Sequence, residues 1–150
     1  MALLSSAHAR TLRVLLIDDD PGIRRAVPRL LSPRCEVVAV DGCTAALHEL
    51  AAGREFDAAL VDLQMPVING RDSLELLLKV APVLARRAII LTSGAFDPVL
   101  QGWADGLEEG ALIRKPPKRD TLIAAIEARI ARFPSAPPPA ETTTGKRRKT

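Results

Sequence analysis

The sequence predicts an α/β fold, a doubly wound five-stranded parallel sheet, on three observations. Five short apolar runs alternate with five segments of helical apolar spacing, the pattern of a parallel sheet with right-handed crossovers and helices on both faces. The runs Leu12-Arg13-Val14-Leu15-Leu16-Ile17 and Ala58-Ala59-Leu60-Val61 are almost continuously apolar, as strands covered on both sides must be. Four of the runs end in polar groups: Asp18-Asp19-Asp20, Asp62, Thr92-Ser93 and Lys115-Pro116. Open α/β sheets gather their ligands at that carboxyl edge.

Residues 1–10 read as a flexible leader. After the first strand, Asp20 is placed to cap a helix and Pro21 suits its first turn. This helix carries Ile23, Ala26, Val27, Leu30 and Leu31 at helical spacing. Pro28 removes one backbone donor from it. The apolar spacing continues past Pro28, so a kink is expected rather than a break, with Pro33 as the stop. Residues 35–40 form the second strand and Asp41-Gly42 a turn. Residues 44–52 form a helix with Leu47, Leu50 and Ala51 inward, closed by Gly53.

The third strand spans residues 56–61, and Met65-Pro66 follows it in the loop. Gly70 precedes a helix bearing Leu74, Leu77, Leu78 and Ala81. Residues 88–91 make the fourth strand. Asp97-Pro98 then starts a helix in which Val99, Trp103 and Leu107 share a face. Gly102 and Gly106 would each cost about 1 kcal/mol inside it, so this helix is expected to be short or mobile. Residues 111–114 form a short fifth strand. The last helix, residues 120–132, aligns Leu122, Ile123, Ile126 and Ile130 on one stripe. Residues 134–150 are Pro/Thr-rich and then basic, which predicts disorder.

At 150 residues the size is that of one domain. The net charge of +3 equals that of residues 134–150, where Lys146, Arg147, Arg148 and Lys149 outweigh Glu141. The remainder sums to zero, so no specific nucleic-acid-binding face is indicated. Cys35 begins a strand and Cys43 opens the next helix, which sets them roughly 20 Å apart. A disulfide spans only about 7 Å between Cα atoms, so two free thiols in a reducing, cytoplasmic compartment are expected. No stretch has the apolar length of a membrane span or a secretory leader.

At the carboxyl edge the first, third, fourth and fifth strands deliver carboxylates, one carboxylate, a hydroxyl and an ammonium. Clustered carboxylates repel one another, and an all-oxygen set suits Mg²⁺. An ammonium and a hydroxyl opposite such an ion complete a clamp for a phosphoryl group. The chemistry expected is Mg²⁺-assisted phosphoryl handling with Asp62 as nucleophile.

The motifs Val14-Leu15-Leu16-Ile17-Asp18-Asp19-Asp20-Pro21, Asp62 with Met65-Pro66 and Gly70, Leu91-Thr92-Ser93, and Lys115-Pro116 stand in one order on these strand ends. On them, residues 11–133 resemble the receiver domain of bacterial response regulators. The resemblance implies a flavodoxin-like (βα)5 fold with strand order 2-1-3-4-5. It also implies that Asp62 accepts a phosphoryl group from a phosphohistidine on a histidine kinase or histidine phosphotransfer protein. Asp19, Asp62 and the backbone carbonyl of Gln64 would bind Mg²⁺ directly, with Asp18 acting through a water. Thr92 and Lys115 would contact the phosphoryl oxygens, and the Lys115-Pro116 bond would be cis.

Such a protein is a phosphoacceptor assisting its own transfer rather than an enzyme. Asp18 and Asp20 also form the Asp-x-Asp pair of haloacid-dehalogenase-type phosphatases, but Gly22 stands where that pattern has Thr or Val. His8 and His48 read as surface residues and Trp103 as core or interface filler.

Two departures bear on output. Leu112 occupies the switch position, where the family usually has Tyr or Phe. The spacing from Gly110-Ala111 to Lys115 is also shorter than usual. The 17 residues after Phe133 are too few for an output domain of roughly 50 or more residues. A stand-alone receiver acting on a downstream protein target is expected. The alternative is a receiver-like binding module that does not depend on phosphorylation.

Overall fold

Asp18, Leu63 and Lys115 each continue a ladder of parallel-sheet hydrogen bonds one residue beyond a strand, and those ladders define the fold. Residues 10–94 and 97–135 are described by a computed structural model of the chain. Strands β1 (Leu12–Ile17), β2 (Cys35–Val40), β3 (Ala58–Asp62), β4 (Ile89–Thr92) and β5 (Leu112–Arg114) lie in the order β2-β1-β3-β4-β5. Every pairing is parallel. This is the expected flavodoxin-like order, and its switch point falls between β1 and β3.

The helices among the described residues are α1 (Pro21–Leu31), α2 (Cys43–Ala51), α3 (Gly70–Val80), α4 (Pro82–Arg86), α5 (Pro98–Asp105) and α6 (Arg119–Arg132). Strand alternation splits the core into two layers. Leu15, Ile17, Ala59, Val61 and Ile90 pack with Ala46, Leu77, Leu84 and Leu100 on the side of α2 to α5. Val14, Leu16, Leu60, Ile89 and Leu91 pack with Val27, Leu31, Leu122 and Ile126 on the side of α1 and α6. Each such Leu, Ile or Val stabilises the fold by about 1.5–3 kcal/mol relative to exposure.

Several expectations need correction. The helix α4 was not anticipated, because five residues are too few for an apolar period to register. Ala26, Ala51 and Leu78 are exposed. Each sits one step of about 100° round its helix from a better-placed neighbour, and on α2 it is Cys43 and Ala46 that are buried. The third strand starts at Ala58 rather than residue 56, because Asp57 turns aside to accept from the Arg13 backbone N–H at 2.8 Å and the Arg10 guanidinium at 3.1 Å. The fifth starts at Leu112, since Ala111 still closes a turn by donating to the Glu108 carbonyl.

Other expectations hold in detail. Asp20 caps α1 by accepting from Gly22 N–H at 2.8 Å, and the helix runs on through Pro28. Asp97 caps α5 by accepting from Val99 and Leu100. That helix is eight residues long, with Gly106 at its C-cap rather than inside it. Gly102 is interior and exposed, and a Cβ there would meet nothing within 4 Å. Gly102→Ala is therefore expected to stabilise the protein by about 0.5–1 kcal/mol, read as a higher denaturant midpoint with unchanged slope.

Two buried arginines hold the amino edge of the sheet together. Arg87 donates to the carbonyls of Phe133 at 2.7 Å and Asp57 at 3.1 Å. Arg129 donates to the Arg86 carbonyl at 2.7 Å and pairs with Glu108 at 2.6 Å. Their charges are tolerable inside because they are hydrogen-bonded. Cys35 and Cys43 are both free and buried, and burial pushes both thiols up. No helix among the described residues is long and apolar enough to cross a membrane. Most of the predicted leader, with His8, and nearly all of the predicted tail lie outside the described residues.

Candidate functional site

Hydrogen bonds at the carboxyl edge carry four chain segments to one place. Asp18 N–H donates to the Val40 carbonyl at 3.0 Å, Leu63 N–H to Leu91 at 2.8 Å, and Lys115 N–H to Thr92 at 2.8 Å. With Ile17 of β1 in register with Val61 of β3, Asp18, Asp62, Thr92 and Lys115 are set side by side across β1, β3, β4 and β5. Asp18 is fully buried, and Asp62 and Thr92 are nearly so.

Lys115 Nζ lies 2.8 Å from Asp18 Oδ2 and 3.0 Å from Asp62 Oδ1. Asp18, Asp19 and Asp62 offer carboxylate oxygens within 4.8 Å of one another. Asp19 is exposed, which opens the cluster to solvent on one side. Burial pushes the Asp62 carboxyl up to about 6, with the Asp18 charge adding to it and Lys115 opposing. Burial pulls the Lys115 ammonium down, but its hydrogen bonds to Asp18 and Asp62 outweigh this and hold it above its usual value. An excess of negative charge at one buried point, on hard oxygen donors, is what Mg²⁺ relieves, so the residues present fit that ion.

The other predicted site residues fall around this cluster. Gln64 is exposed on the loop two residues past Asp62. Thr92 ends β4, and its Oγ1 accepts from Gly94 N–H at 2.9 Å. The Lys115-Pro116 bond is cis. Leu112 opens β5 half-buried and packs on the α2-to-α5 side of the core. Asp20 accepts from Gly22 N–H as the cap of α1. His48 is exposed.

Three features of the site were not read from the residues. In the sequence Gly70 stands out by its spacing alone, but a Cβ there would lie 2.5 Å from the Asp62 carbonyl oxygen and 2.8 Å from Leu63 Cα. Its N–H closes the loop on the Leu63 carbonyl at 2.8 Å. Between them, Val67 is held at φ 68° and fully exposed, a left-handed conformation that a β-branched residue adopts only under constraint. Arg24, on the first turns of α1, donates to the Asp18 carbonyl at 3.0 Å. Its four-residue spacing from the capping Asp20 was the available signal.

The response regulator receiver domain model matches residues 14–127. The chain belongs to the response regulator receiver family. Receiver domains bind Mg²⁺ in an acidic pocket of this kind. The chain is 34% identical over 123 residues to the nitrate/nitrite response regulator protein NarP of Escherichia coli, covering 81% of this chain and 56% of that protein. It is 30% identical over 131 residues to a protein-glutamate methylesterase/protein-glutamine glutaminase of Photobacterium profundum, covering 80% of this chain but 32% of that protein. The receiver thus spans from about a third to just over half of these relatives' lengths. Among solved structures, a response regulator receiver domain protein from Clostridium thermocellum superposes with a TM-score of 0.66 at 28% identity, covering 81% of this chain and 95% of that one.

Proposed function

We propose that this receiver is a cytoplasmic phosphoacceptor of a two-component or phosphorelay system, with residues 11–133 as the working unit. The observation that carries this reading is the single ion-paired cluster of Asp18, Asp62 and Lys115, flanked by Asp19, at the sheet's carboxyl edge. A carboxylate raised to about 6 is ionised at neutral pH yet sits in a site short of positive charge.

In the proposed reaction an Asp62 carboxylate oxygen attacks the phosphorus of a phosphohistidine on a histidine kinase or histidine phosphotransfer protein. The P–N bond breaks as the new P–O bond forms, and the electron pair leaves with the imidazole. Lys115 Nζ, already at 3.0 Å from Asp62, pairs with the transferred phosphoryl oxygens, and Thr92 Oγ1 donates to another. Bound Mg²⁺ would draw charge from those oxygens; Asp19, Asp62 and the Gln64 carbonyl would hold it directly and Asp18 through a water. Output passes by contact with a downstream protein.

A second reading, a receiver-like module that binds its partner irrespective of phosphorylation, is favoured by Leu112 standing where a ring would rotate. Incubation with Mg²⁺ and acetyl phosphate separates the two. Intact mass is expected to rise by one phosphoryl group on the wild type, not at all on Asp62→Asn, and still on Lys115→Ala, whose partner affinity no longer responds. An unmodified Asp62 beside a labelled receiver control would refute the phosphoacceptor. Equal partner affinity for labelled and unlabelled wild type would favour the module.

A further inference from the structure

Arg87 carries a buried charge that its contacts satisfy as a hydrogen-bond donor but do not neutralise. The residue is 6% exposed. Its Nε donates to the Phe133 carbonyl at 2.7 Å and its Nη1 to the Asp57 carbonyl at 3.1 Å, whereas Nη2 reaches only Ser135 Oγ, at 3.5 Å. All three acceptors are neutral, and among the described residues Arg87 has no carboxylate partner. Arg129, the other buried arginine, has the Glu108 carboxylate at 2.6 Å. The Asp57 carboxylate is engaged by Arg10 and the Arg13 N–H, and the Arg87 charge is the least of the influences on it. A buried cation is ordinarily matched by an anion, because little solvent is left to screen it.

Arg87 also lines a cavity of about 480 Å³ at the amino edge of the sheet, the edge opposite Asp62. The end of α2 and the turn into β3 supply Leu50 and Phe56 to its wall, and the corner between α3 and α4 supplies Val80, Val83 and Leu84. Ser135, the weakly held partner of Nη2, lines it as well. Small-molecule sites have this character: about 300–1,000 Å³, mostly apolar, with a few placed polar groups. The other charges on the wall do not answer Arg87. Arg54 pairs with Glu49 at 2.9 Å, and Glu55 is exposed and so screened by water.

We propose that this cavity binds a small organic acid, one carboxylate on a compact apolar body. The carboxylate accepts from Arg87 Nη2 in place of Ser135 Oγ, a charge-assisted bond that also supplies the missing counter-charge. The apolar body lies against Phe56, Val80 and Leu84. The site is separate from the phosphorylation site and does not rest on the phosphoacceptor reading.

Isothermal titration of the full chain with hexanoate, benzoate and phenylacetate, each beside its amide, tests this. At least one acid is expected to bind saturably, one per chain, about tenfold or more tighter than its amide, as one hydrogen bond to a charged group provides. Val80 is 60% exposed, so a charge there leaves the core intact. Val80→Glu is expected to weaken binding of the acid about three- to tenfold by repulsion, and Val80→Lys to strengthen it by a similar factor. Arg87→Gln, where circular dichroism shows it folded, should bind acid and amide alike. The site is overturned if none of the three acids binds saturably up to about 10 mM. Equal affinity for acid and amide in the wild type, or equal affinity for the acid in Val80→Glu and Val80→Lys, overturns it too.

Discussion

Asp62→Asn is expected to make the metal-free protein more stable at neutral pH, by up to about 3 kcal/mol. The Asp62 carboxyl rises from an ordinary 3.8 to about 6 on folding, first through burial and then through the charge of Asp18. At about 1.36 kcal/mol per unit, that rise of about two units sets the limit. Asp62 is only 5% exposed, so solvent screening takes little from it. The sign follows from proton binding. Between the two values the folded state holds the proton more tightly than the unfolded chain, so wild-type stability falls as pH rises from about 4 to 6. Asparagine resembles the protonated acid and escapes that loss. The variant and the wild type should therefore unfold together below about pH 4 and diverge up to about pH 6, beyond which the gap is constant. Mg²⁺ should narrow the gap by stabilising the native wild type alone. Chemical denaturation at several pH values, with and without Mg²⁺, measures this. A wild type more stable than Asp62→Asn at pH 7 without metal would show that the Lys115 pair outweighs the burial of the charge.

That balance was visible in the chain before any fold, because the charged groups stand at the ends of apolar runs. Val14 to Ile17 can only be a covered strand, so Asp18 must emerge at its carboxyl end, and the same reasoning places Asp62, Thr92 and Lys115. Asp20 is legible as a cap, and Asp97-Pro98 as a helix start, because a cap bonds to residues two or three along. What escaped depends on contacts between distant segments. Arg87 and Arg129 belong to a residue type almost never buried, and the carbonyls of Phe133, Asp57 and Arg86, with the Glu108 carboxylate beside Arg129, make their positions tolerable. Phe56 has strand propensity, yet Asp57 beside it is claimed by Arg10 and Arg13 and delays β3. Arg71 and Trp103 stand far apart in the sequence and meet only where α3 and α5 come together.

Gly70 is the sharpest case of a residue whose reason lies in the folded loop. Any Cβ at that position would stand 2.5 Å from the Asp62 carbonyl oxygen, 2.8 Å from Leu63 Cα and 3.1 Å from the Asp62 carbonyl carbon. All three are backbone atoms of a strand end buried on both faces, so no rotamer change relieves the clash. The backbone at Asp62 must move, or α3 must lift from it. Overpacking of this kind costs about 3 kcal/mol, and Gly70→Ala is expected to lower stability by that order. Its effect on labelling should be larger than its effect on folding. Asp62 Oδ1 stands 3.0 Å from Lys115 Nζ, and a displacement of about 1 Å in a positioned reactive group costs on the order of 10²-fold in rate. Under conditions where circular dichroism shows Gly70→Ala folded, its labelling by acetyl phosphate should slow by one to two orders of magnitude, roughly, while Gly102→Ala labels at the wild-type rate. A folded Gly70→Ala that labels as fast as the wild type would mean that α3 yields instead of Asp62, and that the loop does not set the nucleophile's position.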